Sequence, residues 1–375
     1  MKISVLQENF VAAGKIAGAA TTQKSSLAVL GMIALKHEGG VVTLRATNLE
    51  AFVEVKVEAK VLENDGAVGI CFPLDVIRYI ETLDPVAVSL EIDHTKITVR
   101  QGEESSSWQG IDILEFPLTP TVGDKITQVP GELLKDILTR TGYAVAADDT
   151  RLALGGVHIV SNGDTVFAEA TDGFRGARVE VDKDYLSGPA FNVNIPRGSV
   201  NTLLKLVSEE DFVNVYLSLA NSRVSFDMGS VILHSQLTDA QFPEMAPIWP
   251  KAVTYEMDVF GEAFSRHIKR VAVGLDRSSA IEFVGTGKDN ELQLIGHNAE
   301  KTASSTATCL MKGALPEDVL LSVNYQFLQD TLKVVNETAK LRITDKFTPL
   351  VITEVALPDG IVSAEHIIMP MVFGR

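Results

Sequence analysis

The chain repeats itself. Three segments each carry a short strand through a polar or proline-containing break into an amphipathic helix: VGICFPLDVIRYIETL (68–83), AFNVNIPRGSVNTLLKLV (190–207) and VLLSVNYQFLQDTLKVV (319–335). Aligning Phe72, Ile195 and Val323 spaces them 123 and 128 residues apart. In a second set, LRATNLEAFVEV, FAEATDGFRGARVEV and LIGHNAEKTASS, a strand enters a polar turn, with Asn48, Asp172 and Asn298 at intervals of 124 and 126. A third set, at 8–20, 131–145 and 261–275, has apolar residues at three- and four-residue spacing and reads as helix. EFP at 115–117 and QFP at 241–243, 126 residues apart, join only the first two units. Independent patterns that agree on one period and one order point to three copies of one structural unit. The spacing predicts domains at 1–123, 124–250 and 251–375, and 375 residues are too many for one core.

Between the predicted helices lie runs rich in Val, Ile and Thr, such as VAVSLEI, KITVRQ, FVNVYLSL, RVSFDM, ELQLIG and KLRIT. Several alternate apolar with polar residues, as half-buried antiparallel strands do. Each unit therefore holds about two helices and a majority of strand, which is an α+β fold and not a doubly wound α/β fold.

No run of about 18 apolar residues is present, which predicts no membrane span, and the first ten residues read as a strand and not as a signal peptide. Both predict a cytoplasmic protein. Cys71 and Cys309 each sit in an apolar segment and read as buried reduced thiols. There is no C-x-x-C, and the seven histidines are scattered, so neither a metal nor another cofactor is expected.

Patterns for phosphate-binding loops, dinucleotide folds, zinc proteases and serine hydrolases are all missing. Asp148–Asp149 is a candidate metal pair, but the bland reading is a solvated loop. Asp172 in TDGFR is a candidate acid–base residue that also reads as an ordinary turn residue. The formal net charge of −16 argues against nucleic acid as a partner. The predicted helices nonetheless all bring bases: Lys15; Arg78; Lys135 and Arg140; Arg197 and Lys205; Arg266, Lys269 and Arg270, beside His267; and Lys333. Acidic residues such as Glu54, Glu58, Glu63, Glu103 and Glu104 fall on strands and loops. Local field decides where a polyanion can sit.

ATDGFR at 170–175, IPR at 195–197, IIMPM at 367–371, the N-terminal MKISV and TNLE at 47–50, set in this threefold repeat, resemble the bacterial sliding clamps, the beta subunits of DNA polymerase III. The resemblance spans essentially the whole chain. It implies a non-catalytic processivity factor, a head-to-tail homodimer closed into a ring around duplex DNA, with helices inside and antiparallel sheets outside. An ATP-dependent loader would place it on DNA, where it works with the nucleoid. Two other readings stay open: a scaffold relative without DNA traffic, and an enzyme on a triplicated α+β scaffold using Asp172 or Asp148.

By the same resemblance, Lys24 and Arg197 match positions that touch DNA, and Arg151 adjoins another such region, followed here by Leu152 and Ala153 where relatives carry aromatic residues. With the helix bases, the expected DNA-facing set is Lys24, Arg78, Lys135, Arg140, Arg151, Arg197, Lys205, Arg266, Lys269 and Arg270. A pocket for short linear motifs of the polymerase catalytic subunit and the loader is expected from Thr171, Gly173, Phe174, Arg175, Pro243, Pro247, Ile248, Pro349, Ile367, Met369, Pro370 and Met371. Gly176 replaces a larger apolar residue of the relatives, which predicts a wider groove. The tail continues as VFGR where relatives place a basic residue. Val273 and Leu275 are the expected dimer contacts.

Overall fold

A computed structural model describes the chain except for residues 64–67, 149, 187, 210, 277–278, 289, 298–303, 311–314, 336 and 372–375, and except for the side chains of 297, 304, 305 and 307–310. Asn298, Asp149, the side chain of Cys309 and the VFGR tail therefore lie outside the described residues.

The first third of the chain runs β1 (Lys2–Leu6), α1 (Gln7–Gly18), β2 (Met32–Glu38), β3 (Val41–Thr47), β4 (Ala51–Val57), β5 (Ala59–Glu63), β6 (Gly69–Pro73), α2 (Asp75–Glu81), β7 (Ala87–Asp93), β8 (Lys96–Gln101), β9 (Glu104–Gln109) and β10 (Ile111–Asp112). The second runs β11 (Asp124–Pro130), α3 (Gly131–Gly142), β12 (Gly156–Ser161), β13 (Val166–Thr171), β14 (Arg175–Val181), β15 (Phe191–Pro196), α4 (Arg197–Leu206), β16 (Phe212–Ser218), β17 (Arg223–Asp227) and β18 (Val231–Gln236). The third runs β19 (Tyr255–Phe260), α5 (Gly261–Val271), β20 (Ala280–Thr286), β21 (Glu291–His297), β22 (Ser304–Leu310), β23 (Glu317–Asn324), α6 (Tyr325–Leu332), β24 (Thr338–Ile343), β25 (Leu350–Glu354) and β26 (Ile361–Ile368). Apart from β5 and β10, the order is the same each time: strand, helix, four strands or their equivalent, helix, three strands. The fold is α+β, with antiparallel pairing throughout.

The repeat reaches the level of single hydrogen bonds. After β3, Asn48 Oδ1 accepts from the amides of Glu50 and Ala51 (3.1 and 2.7 Å), and Thr47 Oγ1 donates to Ala51 O (2.7 Å). After β13, Asp172 Oδ1 accepts from Phe174 and Arg175 (2.9 and 3.0 Å), and Thr171 Oγ1 donates to Arg175 O (2.6 Å). Both turns need a positive φ at their third residue. It is 88° at Gly173, where glycine carries no penalty, and 76° at Leu49, where a side chain does.

Two compact units hold these elements. They follow the sheets and not the thirds of the chain, so the middle third contributes to both: one comprises Met1–Gly131 with Gly198–Leu237, the other Glu132–Arg197 with Thr238–Arg375. The first unit contains a five-stranded sheet, β5-β1-β7-β8-β9, and a nine-stranded sheet, β10-β6-β2-β3-β4-β18-β17-β16-β11. Helix α1 packs closely on α2, because Gly14 and Gly18 leave room for Ile77 and Leu74. Cys71 is a buried free thiol, and burial, with Asp112 and Glu115 nearby, pushes it up to about 12. The second unit contains an eight-stranded sheet, β15-β12-β13-β14-β26-β25-β24-β19, and a four-stranded sheet, β22-β21-β20-β23. Its main core gathers around Phe264, Phe283, Ile268 and Leu328, with Phe264 edge-on to Phe283 at 6.0 Å. Asn324 caps α6 by accepting from the amides of Gln326 and Phe327.

Strand β4 joins β18 in the first unit through the ladder Ala51↔Ser235 to Val55↔Val231. His234 sits in that ladder, 2% exposed, bonded to Ser225 Oγ at 2.8 Å and edge-on to Phe52. Burial, reinforced by Arg223 and Arg45, lowers it to about 4. The unfolded chain takes up this proton near pH 6.5, while the folded chain refuses it until about 4. The stabilisation is therefore complete above pH 6.5 and shrinks as pH falls toward 4, by up to about 3 kcal/mol. Urea melts should show this loss between pH 7 and 4.5, and His234→Gln should flatten it; an unchanged pH slope in that variant would assign the effect elsewhere.

Candidate functional site

Strands β14 and β26 lie side by side in the second unit, with Arg175 opposite Ile368, Gly176 opposite Ile367 and Ala177 opposite His366. Side chains alternate across a sheet, so the two faces have different characters. One face holds buried charge. Arg175 Nε bonds Asp172 Oδ2 at 3.0 Å and its Nη1 bonds Asp330 Oδ2 at 2.8 Å. Its guanidinium also lies 4.8 Å from the Phe327 ring centre and 5.3 Å from that of Tyr143. Burial works against the charge of Asp330, but the hydrogen bonds from Lys333 and Arg175 outweigh it and hold that carboxyl below the usual range. Tyr143 Oη reaches Thr331 Oγ1 at 3.1 Å and His366 Nδ1 at 3.0 Å, and burial pushes its phenol up.

The other face is apolar. Phe242, Met245, Val351 and Ile367 form a buried cluster, with Leu154 and Trp249 packed against it. His158 stacks on Phe242 at 4.6 Å and bridges Glu169 (3.2 Å) and Asn192 (2.8 Å). Several large apolar side chains at the ends of the same strands and in the segment after β18 are exposed: Phe174, stacked on Phe327 at 6.4 Å, is 57% exposed, Ile248 38% and Met369 37%. Residues 369–371 are held by Met369 N donating to Phe174 O and Met371 N to Ser322 O, both at 2.8 Å, and by a bridge from Pro370 to Val323.

The expected pocket residues differ in exposure. Phe174, Pro243, Pro247, Ile248 and Met369 are exposed, whereas Pro349, Ile367 and Thr171 are buried behind them. Arg175 is a strut, largely enclosed by its partners. Sequence reasoning missed those partners, Tyr143, Phe327 and Asp330, because two of them lie more than 150 residues away. It also read Gly176 as a widened groove. The structure corrects this: a Cβ there would stand 2.5 Å from Met245 Cε, so the space is already filled.

Among the expected DNA-facing residues, Arg140 is a correction. It is 3% exposed, and its guanidinium is held by Asp136 and by Glu354 at 3.0 Å, so its charge is spent inside the protein. Lys24, Arg78, Arg151, Arg197, Lys205, Arg266, Lys269 and Arg270 are exposed, and Lys135 is half-buried. Arg151 also donates to the carbonyl of Asp172, Arg78 pairs with Asp75 at 2.8 Å and Arg266 with Glu262 at 2.6 Å. Lys333 falls one residue beyond α6 and pairs with Asp330. His267 is half-buried, and burial followed by Arg270 and Arg266 holds it below its usual range. Val273 is 73% exposed, while Leu275 turns onto its own core beside Gly296.

Neither candidate acid is poised for catalysis. Asp148 caps an exposed turn through Thr150, and both Asp172 oxygens are occupied by the turn and by Arg175. Among the described residues, no group of three or more His, Cys, Asp or Glu is placed to hold a metal, and no helix is long and apolar enough to cross a membrane.

Residues 128–244 match the family described as DNA polymerase III beta subunit, central domain. The chain has the fold of that subunit. Its likeness to the DNA polymerase beta subunit of Streptococcus pyogenes has a TM-score of 0.90 at 19% identity, covering 99% of this chain and 100% of that one. The beta sliding clamp of Salmonella typhimurium is 24% identical over 379 residues, 99% of this chain and 100% of the relative. That of Halalkalibacterium halodurans is 27% identical over 265 residues, 68% of each. The clamp fold explains why the repeat is threefold and why its sheets are antiparallel. Within that fold, Arg175 fastens the turn at Asp172 to Asp330 of α6. Arg175→Ala leaves Asp172 and Asp330 facing each other without a cation and should cost about 3 kcal/mol in chemical denaturation. Arg175→Lys, which cannot bond both acids in one plane, should recover only part of it.

Proposed function

We propose that this protein is a DNA sliding clamp: two chains joined head to tail in a ring that encircles duplex DNA and tethers the replicative polymerase for processive synthesis. It has three domains, 1–123, 124–250 and 251–375, and no catalytic activity of its own.

The observation that carries this reading is a pairing rule. In the first two thirds of the chain, the strand after the Asn or Asp turn pairs with the last strand of the next third: β4 with β18, and β14 with β26. The equivalents left over are β22, at one edge of the four-stranded sheet, and β9, at one edge of the five-stranded sheet. An exposed edge is a template for another strand. A second copy completes the rule twice, β22 of each chain on β9 of the other, and each junction becomes a nine-stranded sheet like the one within the chain. A C2 dimer of this kind closes and does not polymerise. Helix α5 packs beside β22, and the exposed Val273 lies two residues past its end, which supports Val273 as a dimer contact.

Duplex DNA is the partner of the basic side chains, by charge alone and without reading sequence. The exposed members Lys24, Arg78, Arg151, Arg197, Lys205, Arg266, Lys269 and Arg270, with Lys135, form the set. A chain of formal charge −16 binds DNA weakly as a free protein, and a ring is held by topology instead. An ATP-dependent loader opens it. The polymerase III catalytic subunit and the loader dock short linear motifs on the apolar surface around Phe174, Ile248, Met369 and Met371, where methionine and proline adapt to several sequences. The protein works in the cytoplasm, on nucleoid DNA.

Retention on DNA tests the ring. Once loaded, the protein should remain on closed circular duplex and run off linear duplex with free ends; equal retention on both would sink the topological reading. Sedimentation at micromolar concentration should give a dimer, and Val273→Asp should shift it toward monomer without lowering the melting temperature of the chain by more than a few degrees.

A further inference from the structure

Glu81 stands at the wrong end of its helix. It is the last residue of α2, where the carbonyl end of the helix dipole disfavours a carboxylate. Asp75 in the first turn and Arg78 in the last are placed as the dipole prefers, and they pair with each other at 2.8 Å. Glu81 has no such helical reason. Its partner comes from another helix: Oε1 accepts from the Nζ of Lys15, in the last turn of α1.

The two helices border a groove of about 290 Å³. Gly14 and Ile77 line its buried part and offer no side-chain hydrogen bond, while Lys15, Arg78 and Glu81 line it and are exposed. Whatever enters is therefore recognised by charge. Two cations face this groove, and each is answered by a carboxylate, Lys15 by Glu81 and Arg78 by Asp75. An exposed pair of this kind contributes little in water, because solvent screens it and two long side chains must be held still. Lys15 can thus exchange Glu81 for another oxyanion at almost no cost. Its gain in the exchange is equally small, and the displaced carboxylate stays near enough to repel the newcomer. Asp330, the partner of Lys333, differs: it is also bonded to Arg175 at 2.8 Å and belongs to the framework. Glu81 serves one base among the described residues and is able to leave it.

We infer that Glu81 is an intramolecular stand-in for a backbone phosphate of duplex DNA: it occupies Lys15 in the free protein and so damps the attraction of the α1–α2 groove for the duplex. This rests on the DNA reading given above, and it adds Lys15 to the DNA-facing set. The ligand is the phosphodiester and not a base edge, because the exposed part of the groove presents charge alone.

Anisotropy of a short fluorescein-labelled duplex, titrated with the full-length protein at rising KCl, tests the role of Glu81. Glu81→Gln should tighten binding about threefold at the lowest salt and steepen the slope of log K against log salt by about one. Lys15→Gln should change the affinity of the parent by less than about 1.5-fold, yet cancel the whole gain when added to Glu81→Gln. Glu63→Gln, which removes the same charge from the exposed end of β5, should leave affinity and slope at parent values. An equal gain in Glu63→Gln would assign the effect to net charge and overturn the inference. So would a loss of about threefold in Lys15→Gln alone, since the lysine would then already engage DNA. Parent affinity and slope in Glu81→Gln would overturn it as well, and so would a failure of the parent and every variant to bind at the lowest salt. Failure of the DNA reading shows separately, as equal retention on circular and linear duplex. The Glu81 side chain is 48% exposed, so Glu81→Gln should fold; Lys15→Gln, read in the parent alone, decides the matter should it not.

Discussion

An unpaired strand edge is the constraint on which this architecture depends. Every third of the chain ends with a strand that cannot find all its backbone partners within its own third. Antiparallel pairing to a neighbouring third satisfies them at β4–β18 and again at β14–β26. Three units in a line can make this contact only twice. The third instance needs β22 and β9, and the four- and five-stranded sheets that carry them are each about half the size of the other two. These two edges are where the proposed second chain would complete the pattern.

The same geometry explains why the charge of the protein misleads. Net charge sums over all residues, whereas DNA would meet only the cations turned toward it. Several bases are neutralised locally, Arg78 by Asp75 and Arg266 by Glu262, and Arg140 is withdrawn into the interior by Glu354. Those ending the α5 helix, Lys269 and Arg270, stay exposed where cations also suit the helix dipole. Cations left exposed in this number would attract DNA only weakly, which is what the proposed sliding role asks for.

Much of the architecture was legible in the sequence because repetition and periodicity are local. The helix after each strand, the polar turns at Asn48 and Asp172 and the α+β character all follow from residues close together in the chain. What stayed hidden depends on pairs far apart. Arg140 looked like a surface base because its helix is amphipathic, and its partner Glu354 lies 214 residues on. Arg175 looked like a ligand residue because it sits in a conspicuous motif, yet Asp330 comes from α6, 155 residues later. Gly176 showed that a side chain was missing but not that Met245 takes its place. Period and turn chemistry can be read from neighbours, whereas burial of a charge or filling of a gap is settled only when sheet register brings distant strands together.

Register also divides the labour between the two faces of the eight-stranded sheet. Because side chains alternate, Arg175 and Gly176 must point to opposite sides, and so must His366 and Ile367. The first of each pair enters a network of buried ions and hydrogen bonds, which tolerates little movement since any broken contact leaves a polar group unpaired. The second enters an apolar cluster that can repack around a methionine at small cost. A one-residue slip would exchange the two environments, driving a guanidinium under Met245 and a glycine between Tyr143 and Phe327. The rigid face therefore holds the register on which the apolar face depends, and the exposed apolar residues at the strand ends are carried on a sheet with no freedom to shift.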